Sequence, residues 1–266
     1  MLQFRNLDST IKEKTSSKNE VSVKSLKHKK MNRKILFLIL LLMGSVLSIN
    51  AQEVQLATLQ QGEDLQVFYG ADALKNSLDA ANHGDLITLT AGSFNAVNIT
   101  KAVTIQGAGY VTDAENGRFP TVITGRSFDI QLPEDVEGLA IEGLKIDDEL
   151  ITIRGGITSF SIKKCHLEAV GFNGHSKNCL IEQSIITRGL YPDAESENLH
   201  VKNSIIKSIG SNTFSASLYI ENCLIIRSID TMFQTGMGTS AFLKNNIIGG
   251  ISLGGHHYDN VVDNVG

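Results

Sequence analysis

The sequence predicts an all-β fold, a right-handed single-stranded parallel β-helix, built as a solenoid of ~20-residue coils with a short N-terminal capping helix. Three observations predict it. An aliphatic marker recurs at Ile141, Ile162, Ile181, Val201, Ile220 and Leu243, in steps of 21, 19, 20, 19 and 23 residues. Around each marker the apolar side chains alternate on both sides of a polar pair, as at Leu199, Val201, Ser204 and Ile206, which is the period of two short strands meeting at a sharp bend and not that of a helix. The chain of 266 residues has no Trp and only 3 Pro, which suits a repetitive architecture.

Stacking the units about 4.8 Å apart pairs every strand with its neighbours above and below. Inward side chains then form columns. Ile146, Leu167, Ile186, Ile206, Ile225 and Ile248 make one, and Leu144, Cys165, Ser184, Ser204, Cys223 and Asn246 make a second, of smaller side chains beside the bend. Leucine-rich repeats have a similar length, but their Leu-x-x-Leu-x-Leu run and a helix in every repeat are missing. The second residue of the bend is Gly143, Lys164, Gln183, Asn203, Asn222 and Asn245 in turn. Asn tolerates the left-handed backbone such a bend needs, so Asn203, Asn222 and Asn245 read as a structural ladder of stacked amides.

The elements before the repeat follow in order. Residues 1–30 hold eight Lys or Arg and no apolar period, and read as a basic disordered extension, which a true start at Met31 would explain. Residues 31–51 read as a signal peptide: Arg33 and Lys34, an apolar core from Ile35 to Met43, and small Ala51 before the cleavage point. That core is too short to span a bilayer, so no membrane span is expected after cleavage. Residues 52–70 form a linker or N-terminal segment, and 71–266 the β-helix. Asp72 precedes Ala73, Leu74, Leu78 and Ala81, the pattern of a short amphipathic helix capped by Asp72 that covers the open first coil. Leu86 to Leu89, Ala91 to Phe94, Val97 to Ile99 and Val103 to Gly107 are the first coils. At the other end, residues 260–266 either fold over the last coil or begin another in a chain truncated at its C-terminus, and the second reading is preferred.

The run from Ala71 to Gly125 carries a helix with Leu74 and Leu78, the Gly84-Asp85 turn, Gly92 with Phe94, then Val103, Ile105, Gly107 and Gly109, and Val122, Ile123 and Gly125. This run resembles the N-terminal coils of pectin-lyase-like β-helix proteins, a group that includes many exported and surface proteins of gut Bacteroidetes. The resemblance implies the fold and leaves the chemistry open, since esterases, lyases and binding proteins all begin this way.

Ten of the 24 Lys and Arg and three of the 28 Asp and Glu lie in residues 1–51, so the remainder carries 14 basic and 25 acidic side chains, a formal charge of −11. Nucleic acid is therefore not an expected partner. Three cysteines are expected as buried free thiols, because Cys165 and Cys223 share a column three coils apart, roughly 14 Å at ~4.8 Å per coil, and a bridge needs less than about 7 Å.

Candidate chemistry is sparse. Asp147, Asp148 and Glu149 are the best metal candidate, yet adjacent acids lack the spread of a cage and read as a solvated turn. Arg154, Lys163 and Lys164 are outward charges. His256, His257 and Asp259 form the one dense cluster that could hold a transition metal, in a Gly-rich segment where a polar chain end is the plainer reading. His83, His166, His175 and His200 share no spacing. The serial motifs of polygalacturonases and pectin methylesterases are matched only loosely, at Asp147-Asp148, at Gly254 to His257 and at Asp230 to Gln234, so no catalytic, cofactor-binding or metal residue is carried over. The expectation is an exported monomer, secreted, periplasmic or on the outer cell surface, that binds polysaccharide, a surface glycan or another extracellular partner without catalysis and without a cofactor. The alternative is a polysaccharide lyase or hydrolase acting on acidic polysaccharide, with Asp147, Asp148, Arg154 or the His256 cluster in unassigned roles.

Overall fold

The computed structural model describes residues 54–125, 128–133, 136–147, 150–193, 196–211, 217–231, 240–253 and 256–263. The expected basic extension and signal peptide lie outside the described residues. What is described is an all-β parallel solenoid of about 7 turns, as the repeat predicts.

The first face of the solenoid stacks Leu86–Leu89, Thr104–Gln106, Ala140–Glu142, Ser161–Lys163, Leu180–Glu182, Leu199–Lys202, Ser217–Glu221 and Ser240–Lys244, in that order and all parallel. Its inward column is Ile87, Ile105, Ile141, Ile162, Ile181, Val201, Ile220 and Leu243, so the six markers read from sequence do lie over one another. The second face stacks Gly92–Asn95, Thr121–Thr124, Leu144–Asp147 and the leading halves of His166–Asn173, Ile185–Tyr191, Ile205–Ser211, Leu224–Thr231 and Asn246–Leu253. Ile123, Ile146, Leu167, Ile186, Ile206, Ile225 and Ile248 are buried inside it.

A third face exists where the sequence suggested only two strands per coil. Asp129–Ile130, Leu150–Arg154 and the trailing halves of the long strands build it. Ile151, Val170, Leu190, Ile209 and Ile229 fill its interior. Its alternation is interrupted by irregular register, which hid it from a simple period-two search.

The bend between the first and second faces is left-handed throughout: Gly143, Lys164, Gln183, Asn203, Asn222 and Asn245 have φ of 68°, 50°, 52°, 50°, 54° and 53°. The backbone supplies its axial bonds, for example Asn203 N–H to Glu221 O at 3.0 Å and Asn222 N–H to Lys244 O at 3.0 Å. The side-chain amides of Asn203, Asn222 and Asn245 do not bond to one another as expected; a single amide pair occurs at a different corner, where Asn178 and Asn198 both sit at φ 55° and Asn198 Nδ2 donates to Asn178 Oδ1 at 3.1 Å.

Beside the bend runs the predicted column of small side chains, from Leu144 to Asn246, every member buried. It is a hydrogen-bonded relay. Ser184 Oγ accepts from Cys165 N–H at 3.2 Å and donates to Glu182 O at 2.9 Å, and Ser204 Oγ repeats the pattern with Ser184 N–H at 3.2 Å and Lys202 O at 2.7 Å. Asn246 closes it, accepting from Cys223 N–H at 2.9 Å and donating to Ile220 O at 2.8 Å. Small polar groups fit here because the tight bend leaves amide groups that the strand ladder does not reach.

At the N-terminal end, Leu56–Gln61 and Asp64–Tyr69 form an antiparallel hairpin within the segment read as a linker. Its first strand pairs antiparallel with Leu86–Leu89 and so occupies the edge of the first coil. The helix Ala73–Ala80 lies beside this hairpin and buries Ala73, Leu74, Ser77 and Leu78. Asp72 does not cap it through its side chain: with φ −90° and ψ 7° it lacks the extended geometry of a capping residue, and its carboxylate accepts from Asn95 Nδ2 at 2.7 Å instead. At the other end His256–Asp263 turns back antiparallel along Asn246–Leu253, so residues 260–263 do not begin another parallel coil.

Candidate functional site

Function is best sought where the ladder is irregular, because regular strands commit every backbone group to their neighbours. The irregularity is itself regular. From the inward column of the second face to that of the third, the chain runs from Leu167 to Val170, Ile186 to Leu190, Ile206 to Ile209 and Ile225 to Ile229, an interval of three, four, three and four positions. Alternate coils thus carry one extra residue as a bulge. Glycine accommodates the crowding: a Cβ on Gly249 would collide with Ile226 O and stand 2.6 Å from Arg227 O in the bulged coil below. Gly189, in the other bulge, leaves room for the Tyr191 ring, whose hydroxyl would lie 2.6 Å from an added Cβ.

Along this seam lies a shallow groove of about 400 Å³, floored by Ile146 and Leu167 and walled by Asp147, His166, Glu168, Thr187, Arg188 and Lys207. Asp147 receives Lys145 Nζ at 2.8 Å, and Arg188 approaches Glu168 Oε1 at 3.5 Å. The His166 ring meets Tyr110 edge to face at 6.1 Å between centroids. Thr187 Oγ1 donates to Leu167 O at 3.3 Å, which fixes the hydroxyl over the floor. Donors and acceptors of both charges therefore stand on consecutive coils, suited to a ligand rich in hydroxyl groups.

Of the charged and histidine residues weighed in the sequence, Asp147 and His166 line this groove. Arg154 sits on the third face, paired with Asp129 at 3.2 Å, and Lys164 pairs with Glu142 at 2.7 Å, a contact that raises the lysine above its ordinary value through the hydrogen bond and the opposite charge. Asp148 and Glu149 lie outside the described residues. His256, His257 and Asp259 lie on a strand rather than in a loop, opposite Leu253, Ser252 and Gly250, and their side chains lie outside what is described. Among the described residues no group of three or more His, Cys, Asp or Glu is placed to hold a metal ion, and no helix is long and apolar enough to cross a membrane.

Glu168, Arg188 and Lys207 escaped the sequence reading, and His166 was set aside there with the histidines that share no spacing. A signal was available, since the residue directly after each second-face column position is Asp147, Glu168, Thr187 and Lys207 in successive coils. The cysteines match expectation: Cys165, Cys179 and Cys223 are buried and free, and burial pushes the first two thiols up to about 12 and the third upward. On the first face His200, Tyr219 and Phe242 stack at 4.4 and 4.6 Å with rings within 6° of parallel. Tyr219 is thus covered on both ring faces, whereas Phe242 at the end of the stack is 51% exposed.

No protein-family model, no curated protein and no solved structure matches this chain.

Proposed function

We propose that the protein is an exported, non-catalytic solenoid of the pectin-lyase-like type that binds a glycan in the bulge-seam groove. The observation that carries the reading is the set Asp147, His166, Glu168, Arg188 and Lys207 ranged along one open groove. Carboxylates accept from sugar hydroxyls, and the cationic groups donate to them, while the pairs Lys145 with Asp147 and Arg188 with Glu168 hold each group in place without a water-excluding enclosure. An open polar groove gives weak binding, with a Kd of about 1 mM or ~4 kcal/mol.

Titration of the full chain against neutral and acidic oligosaccharides, read by amide chemical shifts, tests it. Shifts should centre on residues 145–147, 166–168, 187–188 and 207. Asp147→Asn and Lys207→Met should each weaken binding by about tenfold, the loss of one charge-assisted hydrogen bond. No shift at the groove with any glycan would sink the reading. The lyase alternative draws on His166, Arg188 and Lys207 being basic groups in the same groove. Ultraviolet absorbance of unsaturated product from a uronate polymer would establish it over binding alone.

A further inference from the structure

On the outer side of the left-handed bend two columns run along the solenoid. The second face presents Ile185, Ile205, Leu224 and Ile247 in direct register, the last three exposed to 39%, 40% and 60%. Ile226 next to them is 57% exposed. The first face presents Glu142, Lys163, Glu182, Lys202, Glu221 and Lys244, also in direct register, alternating in sign without a break. A half-buried strand ordinarily turns polar side chains outward, so four stacked aliphatics on a solvent face call for a cover.

The charge column identifies the cover. The four members beside the aliphatic column, Glu182, Lys202, Glu221 and Lys244, alternate in sign, and such a row with an even number of members is its own complement when reversed. We propose that the protein self-associates as an antiparallel two-fold dimer through this stripe. The two-fold axis runs parallel to the second face and just outside it, perpendicular to the solenoid axis, and passes over the point between Ile205 and Leu224. Rotation about it sets Ile205 against the partner's Leu224 and Ile185 against the partner's Ile247, closing the aliphatic column on itself. The same rotation sets Lys202 against the partner's Glu221 and Glu182 against the partner's Lys244, so every charge in these four coils meets its opposite. Lys207 comes over the partner's Ile226, where its methylene stem covers the apolar side chain while the ammonium reaches water.

Four coils at about 4.8 Å make a contact some 20 Å long, and a width of two to three side-chain columns gives roughly 400 Å² on each partner. That is below the size of a stable interface and marks a weak, reversible dimer. The monomer expected from sequence alone is the dissociated form, since the stripe becomes visible only once the strands are in register.

Sedimentation velocity of the full chain over a range of concentrations tests the proposal. A concentration-dependent dimer is expected, weakened more than about tenfold by Leu224→Glu at the centre of the contact. Lys202→Glu alone puts two carboxylates opposite each other, and Glu221→Lys alone two ammoniums, so each variant should be monomeric. An equimolar mixture of those two variants restores every opposite-charge pair and should recover the dimer. Circular dichroism and melting of each variant separate lost association from lost folding. A wild type that stays monomeric throughout, a monomer that instead sediments with lipid vesicles, a dimer indifferent to Leu224→Glu, or charge variants that fail to complement each other overturns it.

Discussion

Asn246→Ala probes the polar relay at its most exposed consequence. Asn246 is 1% accessible, and its amide satisfies two groups of the coil below: it accepts from Cys223 N–H at 2.9 Å and donates to Ile220 O at 2.8 Å. Alanine removes both. The buried N–H is the costlier orphan, about 1–3 kcal/mol, and a carbonyl that keeps another lone pair free costs less, so the loss comes to about 3 kcal/mol. Asn246→Ser should recover most of it, because Ser184 and Ser204 hold the same position and each accepts the equivalent amide at 3.2 Å. Stacked coils couple mainly to their neighbours, so the effect concentrates locally. Amide hydrogen exchange at Cys223 should accelerate about a hundredfold in the alanine variant, the equivalent of ~3 kcal/mol, and about tenfold or less in the serine variant. Urea unfolding provides the global comparison. Equal exchange in wild type and Asn246→Ala, or a serine variant no better than alanine, would refute the reasoning.

The three thiols should resist a thiol reagent at neutral pH, since burial drives Cys165 and Cys179 to about 12 and removes the reactive thiolate. Three equivalents should react after denaturation without reductant, and reaction in the native state or fewer equivalents after unfolding counts against free buried thiols. Gly107→Ala should lower the melting temperature sharply, by about 3 kcal/mol in stability, because its Cβ would lie 2.5 Å from Gly143 O, a backbone atom that cannot rotate away. Gly62→Ala meets nothing within 4 Å and should cost only the left-handed backbone at φ 62°, about 1 kcal/mol, so equal effects at the two sites would discredit the steric account. His200 is held below its ordinary 6.5, first by burial and then by Lys202 nearby. Its folded form favours the neutral ring, so the stability it contributes is present above pH 6.5 and is lost as pH falls through the lowered folded value. His200→Phe should remove this part of the pH dependence of the unfolding midpoint, and an unchanged profile would contradict it.

The solenoid was legible because its interior obeys a strict rule. Ile141, Ile162, Ile181, Val201 and Ile220 must each fill the same slot, and that demand prints a period into the chain. The bend was legible for a similar reason, since φ near 50° admits few residue types. The third face was not, because Ile186 to Leu190 and Leu167 to Val170 differ by one residue and a fixed period averages them away. The hairpin at residues 56–69 was missed because it pairs antiparallel, outside the repeat, and its second strand is largely exposed with no alternation to find. Asp147 was noticed for its acidic neighbours, whereas its significance is positional. It shares a groove with His166 and Lys207, residues 19 and 60 positions further on in the sequence, and only coil stacking brings them together.

The two outer surfaces differ in what kind of partner they suit, and the difference follows from where the bulges fall. On the first face no bulge intervenes from Ala140–Glu142 to Ser240–Lys244, so Glu142, Lys163, Glu182, Lys202, Glu221 and Lys244 stand in strict register and cancel one another at strand spacing. Such a row attracts neither a polyanion nor a polycation along its length, but it matches another row of the same kind. Beyond the second-face column the alternating bulges destroy strict register, and Glu168, Arg188 and Lys207 occupy unequal offsets around a depression. Unequal offsets let one ligand meet a carboxylate, a guanidinium and an ammonium at once, which a regular ladder presenting one residue per row cannot arrange. On the two proposals made above, coil length is the variable that separates the surface for self-recognition from the one for a foreign ligand. Deleting Arg188 from its bulge, so that Thr187 and Gly189 match the unbulged coil below, should flatten the groove while leaving the marker column of the first face intact.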